Sequence, residues 1–424
     1  KDMAAGSPRG MRDFLPRDKE HRDAVLGSIA QTYHRHGFES IETPAMEDSA
    51  TLNSGLGGDN EKLSFRVMKR GLSAEDAHQV ADVDELSDLG LRFDLTVPLA
   101  RFYATHHAQL PSVFRSFHTG PVWRAERPQK GRYRQFVQAD IDTLGEASSL
   151  AEEELLVATA DALTQLGVTG WSFRINDRRL LTEVLGAASV AKDEQPVAMI
   201  VIDKLDKIGA EGVLGELSER LSPGWDPAVL GGILDGAALP LDSGAIGTLM
   251  GDTVESHRLA GELVAWVSRV SSALPEGSVV VDPTLVRGMG YYTSSIFEIS
   301  HPELGSSLGG GGRYDGMISR FLGRDVPAVG MSLGFERLLD VVAESATETT
   351  AKVALSYDPA SPGDHLLAIK AELVSEGYQV RLVPHTRNMR AAFDRLVSDG
   401  FSKVADTAQH TRADQLTWRE LGSH

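Results

Sequence analysis

Hydrophobic positions along the chain change period several times, and each change marks an element. Val25, Leu26, Ile29 and Tyr33 recur at helical spacing, which predicts an amphipathic helix over about residues 19–36, stopped by Gly37. A short strand over 38–43 follows, ended by Pro44. Residues 50–62 are rich in Gly, Asn and Asp and read as a loop. Residues 91–98 and 112–124 read as strand-rich, and 150–166 as a strongly apolar helix. Strands mixed with helices in no βαβ rhythm predict an α+β fold with an antiparallel-sheet core. From 178 to 277 the pattern becomes helices rich in Leu, Ala and Gly, without catalytic residue types in clusters. That stretch reads as an insertion. Residues 344–351, rich in Glu, Thr and Ala, read as a linker to alternating strands and helices of a small α/β domain. The division expected is therefore 1–177 and 280–345 as two parts of one core, 178–279 as a mostly helical insertion, and 352–424 as a C-terminal domain.

A chain of 424 residues has room for two or three such domains. It has no run approaching a membrane span, no signal-peptide pattern and no cysteine. A disulfide scaffold, a thiolate metal site and a cysteine nucleophile are excluded, and a cytoplasmic location is expected. The net charge of −18 argues against a non-specific nucleic-acid binder but leaves room for a local basic patch. From Lys352 onward nine Lys or Arg balance nine Asp or Glu, so the negative excess lies before it.

One such patch exists. Arg124, Arg127, Lys130, Arg132 and Arg134 crowd a stretch punctuated by Pro128 and Gly131, which reads as two strands joined by a flexible loop. Holding these charges together is costly unless an anion meets them, and a polyphosphate is the anion expected. Strand alternation would place Arg132, Arg134 and Phe136 on one face, an aromatic beside guanidinium groups. A solvated basic hairpin is the competing reading. Further along, Arg287 sits in L-V-R-G-M-G-Y-Y-T, four glycines run from Gly309 to Gly312, and Glu336-Arg337 closes G-M-S-L-G-F-E-R-L. Taken singly these could be an edge-strand charge, a floppy turn and a buried ion pair. Gln138, Asp140 and Asp142 share one face of a strand by their spacing. With Asp94, also on a strand-like segment, such carboxylates suit an ammonium or imidazole ligand, or structural salt bridges.

Taken in order, these motifs resemble the histidyl-tRNA synthetases, a family of class II aminoacyl-tRNA synthetases, over nearly the full chain. G-M-R-D-F-L-P at 10–16 resembles the family's N-terminal signature, and E-T-P at 42–44 resembles the end of motif 1, the dimer element. R-F-D-L-T-V-P-L-A-R is also close to the family. W-R-A-E-R-P-Q-K-G-R-Y-R-Q-F is similar to motif 2, L-V-R-G with Tyr291-Tyr292 and G-G-R-Y-D to the two histidine motifs, and G-F-E-R-L to motif 3. The resemblance implies a class II antiparallel-sheet core, a helical insertion and a shortened anticodon-binding-like domain. It implies ATP-dependent activation of histidine and its transfer to tRNA-His, with Mg²⁺, by a homodimer. Arg124 and Arg287 would be catalytic. Arg124, Glu126, Arg132, Phe136 and Arg337 would bind ATP. Asp94, Thr96, Gln138, Asp142, Tyr291, Tyr292 and Gly310 would bind histidine, and Gln129 would approach the tRNA acceptor stem. No metal ligand is assigned. The family's Leu-Asp before the Tyr pair is Met289-Gly290 here, and residues 407–411 read as too polar for the strand expected there. Two other readings stay open. One is a non-catalytic histidine-binding paralogue similar to the regulatory subunit of ATP phosphoribosyltransferase. The other is a stand-alone amino-acid-activating enzyme that does not charge tRNA.

Overall fold

The computed structural model describes residues 6–53, 64–127, 132–234, 239–287, 290–305, 307–343, 350–360, 365–408 and 410–422. These fall into two compact units, one of residues 1–12 and 28–343, the other of residues 13–27 and 344–424.

The larger unit contains strands β1 (Glu39–Ile41), β2 (Met46–Asp48), β3 (Arg66–Met68), β4 (Ser87–Leu91), β5 (Phe114–Trp123), β6 (Gln135–Leu144), β7 (Ser172–Asp177), β8 (Val279–Val281), β9 (Ser295–Ser300), β10 (Gly309–Arg313) and β11 (Ala328–Gly334). Eight form one sheet in the order β1-β5-β6-β11-β10-β9-β7-β8. It is antiparallel except for the two outer pairs, β1 with β5 and β7 with β8. This is the α+β core expected from the sequence. β2, β4 and β3 make a small antiparallel sheet of their own.

The alternation in β6 explains the layering. Ala139 and Ile141 alternate with Gln138, Asp140 and Asp142, so one face of the strand is apolar and the other acidic. Helix α1 spans Pro16–Arg35, α2 Ser49–Asn53, α3 Ala74–Gln79, α4 Thr96–His106 and α5 Leu150–Gln165. Buried Tyr33 of α1 packs on Phe117 of β5, ring centroids 5.4 Å apart, and reaches Thr159 of α5. Thr159 in turn lies against Met331 of β11. Leu155, Leu156 and Leu163 of α5 are fully buried, each contributing roughly 1.5–3 kcal/mol. The acidic face of β6 is left for the site.

The helical stretch between β7 and β8 carries α6 (Arg178–Ala187), α7 (Gln195–Ile202), α8 (Leu205–Arg220), α9 (Pro227–Leu234), α10 (Ser243–Leu249) and α11 (Val254–Ala273). Its starts are capped as the sequence allows: Asp177 accepts from Arg179 N, Asp242 from Gly244 N, and Thr253 forms a capping box with Ser256. Two short helices, α12 (Gly316–Leu322) and α13 (Phe335–Leu339), follow β10 and β11.

The second unit holds β12 (Lys352–Tyr357), β13 (Gln379–Pro384), β14 (Lys403–Asp406) and β15 (Arg419–Glu420), ordered β13-β12-β14-β15, with α14 (Leu366–Ser375) and α15 (Met389–Ser398). Val353, Leu355 and Ile369 anchor one core cluster, and Ala354, Leu396 and Phe401 another. The N-terminal part of α1 belongs to this unit, where Glu20 pairs with Lys352.

Three expectations are corrected, and one open alternative is decided. Residues 49–53 are helical rather than loop, while 54–63 lie outside the described residues. The strand predicted over 91–98 ends at Leu91 and α4 begins at Thr96. Asp94 accepts the Val97 N–H at 3.2 Å, and this local bond starts a helix in spite of the β-branched Thr96 and Val97. Of the two readings left open for the glycine run, close backbone approach holds over a floppy turn, because the run is an interior strand, β10. Finally, the C-terminal strand judged missing is present as β14. Val404 and Ala405 point to opposite faces of it and join the two core clusters, and the polar Thr407 just after it is buried with its hydroxyl donating to Ser356 O.

Candidate active site

Two adjoining cavities open on the acidic face of the sheet and share Arg124, Gln138, Arg287, Gly310 and Ser332. The first is lined also by Glu126, Arg132, Phe136, Glu336 and Arg337, the second by Asp94, Thr96, Asp140, Asp142, Tyr291, Tyr292 and Tyr314. Every proposed site residue among those described is thus in one cavity or the other. Gln129 lies outside the described residues, as do Gly288 and Met289.

The first cavity is cationic. Arg124 anchors its Nε on Phe93 O at 3.1 Å and lies 5.0 Å from the centre of the Phe136 ring. Arg337 donates to Ser307 O at 2.7 Å. Burial and the neighbouring Arg132, Arg124 and Arg287 press the Arg337 guanidinium below its ordinary pKa, against the opposing charge of Glu298. Arg132 reaches Glu126 at 3.4 Å. The expected face of Arg132, Arg134 and Phe136 on one strand is corrected, because β6 begins at Gln135 and Arg134 turns back to donate to Glu126 O at 3.0 Å. Glu336 does not pair with Arg337 either. It pairs with Arg12 and accepts the Val137 N–H at 3.2 Å. Arg12 itself stacks on Tyr133, 3.4 Å from the ring centre, so the N-terminal G-M-R-D segment helps to build this wall.

The second cavity is acidic. Asp94, Asp140 and Asp142 are 3%, 4% and 4% exposed. Burial pushes Asp94 up to about 6, against the Val97 N–H and the charge of Arg124. It pushes Asp142 up to about 7, against the hydrogen bond donated by Tyr314 at 2.6 Å. Asp140 is raised further by burial and by the adjacent Asp142. Gln138 donates to Ser332 Oγ at 2.8 Å, which leaves its carbonyl oxygen free. Asp94 Oδ2, Gln138 Oε1 and Asp140 Oδ1 are all buried with no hydrogen-bond partner. Three orphaned acceptors lining one cavity are a strong departure from a satisfied core, and they match the three N–H donors of an ammonium group.

Glycine makes the close approaches possible. A Cβ on Gly330 would overlap Asp142 Oδ1, and one on Gly310 would lie 2.7 Å from the Arg287 guanidinium. Arg287 therefore lies across bare backbone and donates to Glu298 at 2.9 Å. Tyr291 and Tyr292 pack at 4.8 Å, with Tyr314 6.1 Å from Tyr291.

Residue-level reading of the sequence left out Asp140, Tyr314, Ser332, Gly330, Glu298 and Arg12 as site residues. The period of two already set Asp140 beside its neighbours, and Tyr314 stands in G-G-R-Y-D. Arg12 stands in G-M-R-D-F-L-P, but spacing alone does not place it in the site, because its partner is 324 positions away.

The fold is that of a class II aminoacyl-tRNA synthetase core. A family model described as histidyl-tRNA synthetase matches residues 10–338. A curated histidine–tRNA ligase of Leifsonia xyli subsp. xyli is 52% identical over 98% of this chain and 98% of its own. A probable histidine–tRNA ligase of Tropheryma whipplei is 42% identical over 93% of each. Histidyl-tRNA synthetase of Nostoc sp. PCC 7120 superposes with a TM-score of 0.78 at 24% identity, over 98% of this chain and 94% of that one. A Bacillus halodurans protein described as an ATP phosphoribosyltransferase regulatory subunit/histidyl-tRNA synthetase does so at 0.75 and 20% identity, over 96% and 99%, and shares the fold. The chain belongs to the histidyl-tRNA synthetase family.

Proposed function

We propose that this chain activates histidine with ATP and transfers the histidyl group to tRNA-His. The observation that carries the proposal is the set of three orphaned acceptors beside a cation-lined cavity, the two joined at Arg124 and Arg287. Asp94, Gln138 and Asp140 would take the α-ammonium, with Thr96 beside them. Asp142, its oxygen held by Tyr314, would face the imidazole together with Tyr291 and Tyr292, over the bare backbone of Gly310. Arg132 and Arg337 would hold the outer phosphates of ATP, with Phe136 and Glu126 beside the adenine.

The carboxylate oxygen of histidine would attack the α-phosphorus. The bond from that phosphorus to the bridging oxygen breaks, and pyrophosphate leaves with the electron pair. Arg124 and Arg287 meet the negative charge that spreads over the phosphoryl oxygens, already placed before the reaction begins. Among the described residues no group of three His, Asp or Glu could hold a metal alone. Mg²⁺ would therefore be held mainly by ATP phosphate oxygens, neutralising phosphate charge when bound. In the second step a ribose hydroxyl at the tRNA 3′ end attacks the carbonyl carbon, and AMP leaves. Residues 352–424 would serve the anticodon end, residues 178–279 would be the insertion within a core of 1–177 and 280–345, Gln129 would approach the acceptor stem, and the enzyme would act as a cytoplasmic homodimer.

Histidine-dependent ATP–pyrophosphate exchange followed by charging of tRNA-His tests this. Both activities are expected. No exchange with any amino acid would overturn the proposal in favour of a histidine-binding regulator. Exchange without charging would favour a stand-alone activating enzyme.

A further inference from the structure

A row of paired residues crosses the floor of the site and continues past it. Asp140 on β6 pairs with Ser332 on β11, then Gly310 on β10, Glu298 on β9 and Arg174 on β7. Arg174 lines neither cavity, yet it is tied to Arg287 by two routes. Its Nε and Nη2 reach Asp282 at 2.6 Å. Asp282 uses its other oxygen on Thr284, at 2.9 Å to N and 2.7 Å to Oγ1. It thereby fixes the turn that leads into Arg287, and Asn176 braces the same turn through Pro283 O and Leu285 O. By the second route Arg174 Nη1 lies 3.5 Å from Glu298, whose other oxygen accepts from Arg287 at 2.9 Å.

We infer that Arg174 is a positioning residue for the activation step, holding Arg287 through the Asp282 turn and through the shared carboxylate of Glu298. The inference rests on the proposed function. The physical point is competition for Glu298. Divided between two cations, that carboxylate orients Arg287 without capturing it. Without Arg174 the full charge of Glu298 faces Arg287 alone and draws the guanidinium away from the phosphate. A lysine cannot replace Arg174, because one ammonium lacks the rigid fork that meets two carboxylates at once. The third neighbour, Asp206 of the insertion, is 3.7 Å away and four-fifths exposed, and a solvated pair of that kind adds little.

The test compares Arg174→Met, Arg174→Lys, Glu298→Gln and the double variant Arg174→Met/Glu298→Gln in histidine-dependent exchange, with the thermal midpoint of each. Arg174→Met should lower kcat by about 10- to 100-fold, the scale of a misplacement near 1 Å, with the KM for histidine nearly unchanged and the midpoint lowered, because the buried Asp282 loses its partner. Arg174→Lys should fall between it and wild type. The double variant should lose much less than the product of the two single losses, which a merely structural role would not produce. A kcat within twofold of wild type, a KM for histidine that rises in step with the loss, or multiplicative losses would overturn the inference. Should Arg174→Met fail to fold, Arg174→Lys decides on the same criteria. A wild-type chain without exchange refutes the proposed function and this inference with it, whereas wild-type exchange with unaffected Arg174 variants refutes the inference alone.

Discussion

Replacing Asp142 by Asn should make the empty protein more stable at high pH while weakening histidine binding. The carboxyl of Asp142 titrates at about 7 in the fold against 3.8 for an ordinary aspartate, chiefly because it is buried. A carboxyl whose folded value is raised contributes stability in full below its unfolded value. That stability is lost as pH rises toward the folded value, here across the window from about 4 to 7. Three units at about 1.36 kcal/mol each come to about 4 kcal/mol above pH 7. Asp94 and Asp140 share the cavity and part of that cost, so a single substitution should recover about 2–4 kcal/mol. An asparagine keeps the shape and still accepts from Tyr314. For a unit of more than 300 residues, each kcal/mol moves the thermal midpoint by about 1.5 °C. Melting curves of wild type and Asp142→Asn without ligand should differ by about 3–6 °C at pH 8.5, and by much less at pH 4.5. A variant equally or less stable at pH 8.5, or a gain independent of pH, would refute the reasoning.

Other consequences are as direct. Arg287→Ala should abolish exchange, by about 10³-fold, with the fold unchanged by circular dichroism; near-wild-type exchange would reject its assigned role. Gly330→Ala drives a methyl into Asp142, and overpacking of about 1–3 kcal/mol should appear as a raised KM for histidine in steady-state exchange. Glu152→Ala strips a buried Arg313 of its closest partner, at 2.6 Å, and urea titration should show a loss of about 3 kcal/mol or more. Because Asp94 and Asp142 must ionise to meet a cation, calorimetric affinity for histidine should fall as pH drops from 7 toward 6.

Elements with strong local signals were legible in the chain itself. The apolar spacing of Val25, Ile29 and Tyr33 marked α1, and the alternation around Asp140 marked the face of β6. The glycine run was ambiguous because a strand without side chains has no periodicity to read. What makes it a strand is the pair of neighbours on either side, β9 and β11. The region after Leu91 misled because Thr96 and Val97 favour strands by propensity, whereas the helix start, with Asp94 accepting the Val97 N–H, depends on packing that propensity does not show. The cationic half of the site was visible as a charge cluster. The contributions of Arg12 and Arg174 were not, since both act through partners brought close only by the fold.

The row from Arg174 to Asp140 also makes the sheet a ruler. Its five residues span four inter-strand gaps, about 19 Å at the usual spacing near 4.8 Å. Hydrogen-bonded strands cannot stretch, so the separation between the ammonium end of the site and the residues that brace Arg287 is fixed by strand count rather than by side-chain length. Slipping any one strand by a residue would turn its row member to the opposite face. The site therefore tolerates exchange of side chains more readily than any change of register.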